Sequence, residues 1–397
     1  MSELLSIDEA LALVLERAKP LEAETVLVAD AGGRVLADDV RAAVDLPPFR
    51  SSAMDGFAVR SLDTPGTLPI AARVVAGSPA ERALEPGEAM AIATGGAVPE
   101  GADAVVPIEL VRESDGNLLV ETAVEADKNV RAQGGEVKAG EIVLPAGARL
   151  GPAQVGALAA AGLPAVRCAR KPRAVVLSTG TELCEANAEL GPGQIYESNG
   201  TMLAAALAAC DLEVERLDPI ADDRDLHRET LECALTADML VSSGGVSVGP
   251  HDLFRGIAAE LGVTEVFWRT AVRPGKPVYF GVRGRTLVFG LPGNPVAALV
   301  GFELFVRPAL RALQGARETG PDYLIGRLGS PVRATRERDG LTRALACVKN
   351  GTVVLEPLPG KDSHMIVRSA TANALVLVPR GEVTLPAGAE IRYLPLS

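Results

Sequence analysis

The chain predicts a multidomain protein of α/β and β class: a doubly wound α/β domain, a β-rich inserted domain, a small helical or linker domain and a C-terminal β domain. Three observations predict it. At 397 residues the chain exceeds one ordinary domain. Between residues 173 and 313, apolar strand-like runs alternate with helix-like stretches, the signature of a largely parallel sheet with helices on both faces. On either side of that region, short Val and Ile runs lie between Gly, Pro and Asp turns.

In chain order, Ser6 and Glu9 form a capping box ahead of Ile7, Ala10, Leu11, Val14 and Leu15, which recur at helical spacing. This first helix is expected to end near Ala18, before Pro20. Residues 46–141 carry the texture of the inserted β domain, in runs such as AARVVAGSP, GEAMAIATGG and GADAVVP. PAQVGALAAAG (residues 152–162) reads as an Ala/Gly helix opening at Pro152, expected to pack on the first helix, so that 1–45 and 142–172 form the small domain. Residues 173–325 are the α/β domain: strands RAVVLS, LEVERLDPI, DMLVSS, VTEVFWR, PVYFGV and TLVFG, and helices TMLAAALAAC, DLHRETLECAL, HDLFRGIAAEL and PVAALVGFELFVRPAL. From 326 to 397, RALACV, TVVLEPL, ALVLVP and AEIRYLPL form the last β domain.

Composition removes several function classes. The net charge is −12 with no run of Lys or Arg, and aromatics are only 3% of residues, so neither a phosphate-backbone stripe nor a stacking platform for nucleic acid is expected. The five cysteines are scattered without a CxxC pair, which suits reduced thiols in a cytoplasmic enzyme. Three dispersed histidines make no zinc signature. The N-terminal segment carries acids throughout and lacks signal-peptide character, and the most apolar stretches are interrupted by Pro, Gly and polar residues. A soluble protein is expected, with no membrane partner.

Chemistry concentrates in three glycine-rich turns: SSGGVSVGPHD (Ser242 to Asp252), RPGKPVYFG (Arg273 to Gly281) and GLPGNP (Gly290 to Pro295). Glycine admits close backbone approach, and free N–H groups at a helix start favour anions. The expected ligand contacts there are Ser243, Gly244, Gly245, Ser247, Gly249, Pro292, Gly293, Asn294 and Pro295. Lys276, in a turn stiffened by flanking prolines, and Arg273 supply positive charge. Glu182 in the TGTEL turn, Asp222, Asp223 and Asp252 lie near the same expected sheet edge and suit Mg²⁺, which takes one or two carboxylates with water and phosphate. Asp222 or Asp223 equally suits a helix cap. Elsewhere, Asp55 sits in the DG turn of SSAMDGFAV, and Thr94 precedes Gly95 and Gly96 in ATGGAVPEG, an arrangement suited to an oxyanion. Ser243 and Ser247 have no His–Asp partners in sequence, and no Walker motif or GxGxxG opens a helix.

Taken together, SAMDGFA, TGGAVPEGADAVV, NVRAQGGE, STGTEL, QIYESN, SSGGVSVGPHD, RPGKPV, GLPGNPV and GKDSHMI resemble the molybdopterin molybdenumtransferase family, related to the gephyrin E domain. The resemblance spans nearly the whole chain. It implies an elongated homodimer in which the α/β domain of one subunit meets the β insertion of the other. The implied reaction is insertion of molybdenum from molybdate into adenylylated molybdopterin, with loss of AMP and a Mg²⁺ requirement. It places Asp55, Glu182, Asp252 and Lys276 as catalytic groups and Asp222, Asp252 and Glu182 as metal ligands. Thr94, Arg131, Arg273 and Ser369 join the turn residues in contacting substrate. Molybdopterin adenylyltransferase and molybdoenzyme maturation proteins are the implied partners. Two departures stand out: Gly134, Gly135 and Glu136 replace the usual Gly-Glu-Asp, and Arg273 replaces a common lysine. Adenylylation of the pterin from ATP, a scaffolding role through the C-terminal β domain, and a preference for tungstate stay open as alternatives.

Overall fold

The computed structural model describes residues 4–246, 253–360 and 362–396. Helix α1 (Ile7–Arg17) begins at the expected capping box: Glu9 N–H donates to Ser6 Oγ at 3.2 Å, and Ser6 N–H donates to Glu9 Oε2 at 2.8 Å. It buries Ile7, Ala10 and Val14. Helix α2 (Pro152–Ala160) starts on Pro152 as expected, but the two helices do not pack together. Helix α1 lies against the last helix of the α/β domain, sharing a core with Ala309, Leu310 and Leu313. Helix α2 buries Leu158 with Val28, Leu36, Leu150 and Val166. The physical reason is area: α2 offers a single buried side chain, whereas the C-terminal helical stretch of the α/β domain is apolar on nearly every side and needs a cover.

Around α2 the chain leaves and re-enters one small unit. Ala23–Leu27 pairs antiparallel with Ala165–Ala169, and Val40–Arg41 pairs with Ile142–Leu144. Between them lies a six-stranded sheet, ordered Ala104–Pro107, Gly56–Val59, Ala89–Ile92, Gly66–Val74, Asn117–Val120, Val111–Ser114. Alternate residues of its strands enter two separate cores: Phe57 and Val59 on one face, Ala58 on the other.

The α/β domain holds a second six-stranded sheet, ordered Glu213–Arg216, Arg173–Ser178, Met239–Ser243, Thr286–Leu291, Tyr279–Arg283, Thr264–Trp268. Only Tyr279–Arg283 runs against the rest. The central strands are buried on both faces, which explains their continuous apolar runs. Val176, Val241 and Phe289 face a core completed by α1, α3 (Asn199–Ala208) and the helices α6 (Pro295–Gly301) and α7 (Arg307–Leu313). Leu177, Leu240 and Val288 face the other, with α4 (Arg224–Ala234) and α5 (Leu253–Glu260). The sheet is doubly wound, as the alternation predicts. A turn of π-helix, Phe302–Val306, joins α6 to α7.

The C-terminal β domain closes on itself: Asp339–Lys349 pairs with both Thr352–Pro357 and Ala374–Val378, and Leu324–Leu328 and Glu390–Pro395 complete the circuit. One strand crosses from the α/β domain. Val272–Arg273 pairs with Asp339 and Gly340, so the RPGKP turn is built against the C-terminal domain.

Candidate functional site

Three adjacent parallel strands end in register, with Ser178 beside Ser243 and Ser243 beside Leu291. The turns TGTEL, SSGG and LPGN therefore leave the sheet at one carboxyl edge, where open α/β sheets bind ligands. Backbone bonds lock them together: Thr179 N–H donates to Ser243 O at 2.9 Å, and Gly244 N–H to Leu291 O at 3.1 Å. Gly244 has φ +94°, and a β-carbon there would lie 2.4 Å from Thr179 O, so only glycine fits. Asn199, opening α3, donates through Nδ2 to Ser243 Oγ at 2.8 Å and to Gly293 O at 2.7 Å, while Ser243 Oγ donates to Pro292 O. Beneath it the buried Glu197 accepts from Ser178 Oγ and from the Gly200 and Thr201 N–H groups. At this edge, Thr179 Oγ1, Ser242 Oγ and Asn199 Oδ1 are buried without a hydrogen-bond partner among the described residues.

Two acids flank the edge. Asp222 N–H donates to Thr181 Oγ1 at 3.1 Å, which joins the Asp222 turn to the one carrying Glu182. Asp223 is the N-cap of α4, accepting from the N–H groups of Asp225 and Leu226, so of the two acids the capping role falls to Asp223. Asp252, Ser247 and Gly249 lie outside the described residues.

Beside this edge the RPGKP turn folds back on Thr270, whose N–H donates to Lys276 O at 3.0 Å. Lys276 projects to the surface. Arg273 lines a cavity of about 440 Å³ at the junction with the C-terminal domain, together with Arg333, Arg336 and Arg343 and with no acid among its described lining residues. Ser369 lies beside Arg343. It is buried, and its hydroxyl accepts from Arg343 Nη1 at 2.6 Å and donates to Met365 O at 2.9 Å, because the Arg343 guanidinium needs acceptors where it is buried. Burial, and then the neighbouring Arg368, push the Arg343 pKa down.

The inserted domain gathers a separate cluster. Thr94 donates to Asp55 Oδ1 from its backbone N–H at 2.6 Å and from its hydroxyl at 2.9 Å, and these bonds hold the Asp55 carboxyl below the usual range. Strand pairing sets Arg131 opposite Ser51, at the start of the Asp55 loop, and Gly95 N–H donates to Ser52 O. Among the described residues no hydrogen bond or ion pair links this cluster to the α/β turns.

Family models match the chain in three consecutive parts: the MoeA N-terminal region (domains I and II) over residues 5–162, a probable molybdopterin binding domain over 175–312, and the MoeA C-terminal region (domain IV) over 326–396. Molybdopterin molybdenumtransferase 2 of Mycobacterium tuberculosis is 35% identical over 99% of this chain and all of its own length. The chain belongs to the molybdopterin molybdenumtransferase family. The Staphylococcus epidermidis molybdopterin molybdenumtransferase is 33% identical over 97% of this chain and 94% of its own. The crystal structure of the molybdopterin biosynthesis MoeA protein from Pyrococcus horikoshii superposes with a TM-score of 0.83 at 30% identity, covering both chains fully.

Within this molybdenumtransferase fold, the expected residues divide into two groups. Glu182, Asp222, Ser243, Gly244, Gly245, Pro292, Gly293, Asn294 and Pro295 come together at the sheet edge, with Arg273 and Lys276 on the adjoining turn. Asp55, Thr94 and Arg131 come together in the insertion. Residue-by-residue reading missed Asn199, Glu197 and Arg343. The first two lie inside the quoted QIYESN segment, but nothing local shows that an amide and a carboxylate there reach across to other strands. Arg343 was visible as a lone cation in the apolar run RALACV. No described helix is long and apolar enough to cross a membrane, and all five cysteines are free, with burial pushing the Cys168 and Cys210 thiols up.

Proposed function

We propose that this chain inserts molybdenum from molybdate into adenylylated molybdopterin with release of AMP, in a Mg²⁺-dependent step of molybdenum cofactor biosynthesis. The observation that carries the reading is the set of three buried polar atoms, Thr179 Oγ1, Ser242 Oγ and Asn199 Oδ1, that have no hydrogen-bond partner among the described residues at the glycine turns. Buried polar atoms find partners, and a polar ligand at this edge supplies them. A pyrophosphate-bearing pterin suits the turns, and a tetrahedral oxyanion suits the neighbouring wall of four arginines. Arg273 belongs to that wall, and Lys276 follows it in the same turn, which brings the two anions within one basic frame.

Among the described residues no three His, Cys, Asp or Glu side chains gather as metal ligands. Mg²⁺ does not require three: one or two carboxylates with water and phosphate suffice. Glu182 and Asp222, both on the turns at this edge, fit that demand, with Asp252 as the third acid of the family pattern. A cation held there supplies charge neutralisation at the pyrophosphate. Asp55, whose ionised form is favoured by two Thr94 hydrogen bonds, serves as an acceptor for a pterin amine or the metal. Because no hydrogen bond or ion pair joins its cluster to the α/β turns among the described residues, we assign it to the site of a partner subunit in a homodimer. A molybdopterin adenylyltransferase upstream and molybdoenzyme maturation proteins downstream complete a cytoplasmic route.

The test is AMP release from adenylylated molybdopterin by the pure protein with Mg²⁺, with and without molybdate. Molybdate-dependent release is the expected result. Release that ignores molybdate, or formation of adenylylated pterin from ATP, would overturn the reading, and binding without turnover would point to a scaffold.

A further inference from the structure

We propose that Trp268 is a positioning residue for the pterin substrate, holding the Gly244–Gly245 turn in its binding shape through the carbonyl of Val246. This rests on the transferase reading above. Trp268 closes the strand Thr264–Trp268, which runs parallel to the central strands and so ends at the same sheet edge as the glycine turns. Its indole Nε1–H donates to Val246 O at 2.8 Å, immediately after Gly245. The Val246 side chain is itself fixed, buried in the α4–α5 core and packed over Gly290, where a β-carbon would come within 2.5 Å of it. The turn is thus pinned at its far end by one side-chain bond and one apolar anchor.

The ring that makes this bond is held on both faces. The guanidinium carbons of Arg255 and Arg269 lie 3.7 and 3.8 Å from the Trp268 ring centroid. Two groups at that distance cannot share one face, so the indole is sandwiched. Arg255 is oriented by Glu265, to which Nε and Nη2 donate at 3.1 and 2.8 Å. Arg269 adopts φ +94°, a conformation rare outside glycine, with its N–H bonded to Val278 O. A non-glycine residue kept in that region, with its guanidinium on the ring, indicates that the stack offsets local strain. Core packing of the indole needs neither a second guanidinium nor an N–H aimed at the glycine turn.

Trp268→Phe keeps an aromatic face for the two arginines and removes the N–H. Hydrogen exchange of the amides in residues 242–246 should then accelerate, and KM for adenylylated molybdopterin should rise roughly threefold to tenfold, the span for one lost hydrogen bond. kcat and the KM for molybdate should stay within about twofold, since the oxyanion wall is untouched. Trp268→His is the rescue, because its Nε2 overlies the indole Nε1 and can donate to the same carbonyl. It should recover part of both effects, and it serves equally if the Phe variant does not fold. Unchanged exchange, or faster exchange with an unchanged pterin KM, would overturn the proposal. If the wild-type protein shows no molybdate-dependent turnover, the functional reading has failed, and exchange at residues 242–246 still decides whether Trp268 holds the turn.

Discussion

Thr94 gives Asp55 two hydrogen-bond donors, and both favour the ionised carboxylate. Replacing Thr94 with Val removes the hydroxyl and leaves the backbone N–H, so the Asp55 pKa should rise part of the way back toward its ordinary 3.8. A carboxyl carbon NMR titration measures it, and an unmoved value would show that the hydroxyl bond does not form in solution. The sign matters for pH dependence. A depressed folded-state pKa means the contact contributes fully above 3.8 and is lost only as pH falls through the lower folded value, so the cluster should persist at neutral pH. Glycine positions separate in the same way. Gly244→Ala forces a β-carbon to 2.4 Å from Thr179 O at φ +94°, and should cost more than about 1 kcal/mol in urea unfolding. Gly293→Ala meets only Gly244 Cα at 3.8 Å and should stay within about 0.5 kcal/mol. At this scale the sequence was legible where a residue type is demanded locally, as with the positive-φ glycines of the SGG turn, whereas Gly56 of the expected DG turn opens a strand and is demanded by Val106 O on the neighbouring one. Asn199 and Glu197 were not legible, because Asn199 reaches Ser243 and Gly293, 44 and 94 residues away, and Glu197 reaches Ser178, 19 residues away, only through strand order; Arg343 stood out as a lone cation, but its acceptors Gly360, Met365 and Ser369 did not.

Helix and strand placement was largely written in local pattern. Each strand and helix read in the α/β domain is present, because buried parallel strands are apolar throughout and the helices between them carry one or two apolar stripes. The misplaced contact is α1, whose capping box and periodicity fix a helix but not its neighbour. Its docking on α7 follows from the apolar surplus of Phe302–Leu313, a tertiary fact. The consequence is measurable. Ser6→Ala removes the cap and should destabilise by about 1 kcal/mol. Because α1 shares its core with the α/β sheet, hydrogen exchange should quicken in Phe302–Leu313 while the inserted sheet stays unchanged. Equal effects in the inserted sheet would contradict that packing. The strand Val272–Arg273 was likewise invisible as an element, since two residues carry no periodicity. Its pairing with Asp339–Gly340 is what sets Arg273 in the wall of the arginine cavity.

For the whole molecule, one chain carries two separate clusters: Asp55, Thr94 and Arg131 in the insertion, and the glycine turns with Arg273 and Lys276 on the α/β domain. The proposed transferase needs both, and in a two-fold dimer each cleft would take one half from each subunit. The direct measurement is subunit mixing, read by molybdate-dependent AMP release. Asp55→Asn and Lys276→Ala proteins should each be inactive alone. After co-refolding or co-expression in equal amounts, about a quarter of wild-type activity should return, since half the dimers are mixed and each then holds one intact cleft. Mixed dimers that form and stay inactive would contradict a site shared between subunits and return Asp55 and Lys276 to the same chain.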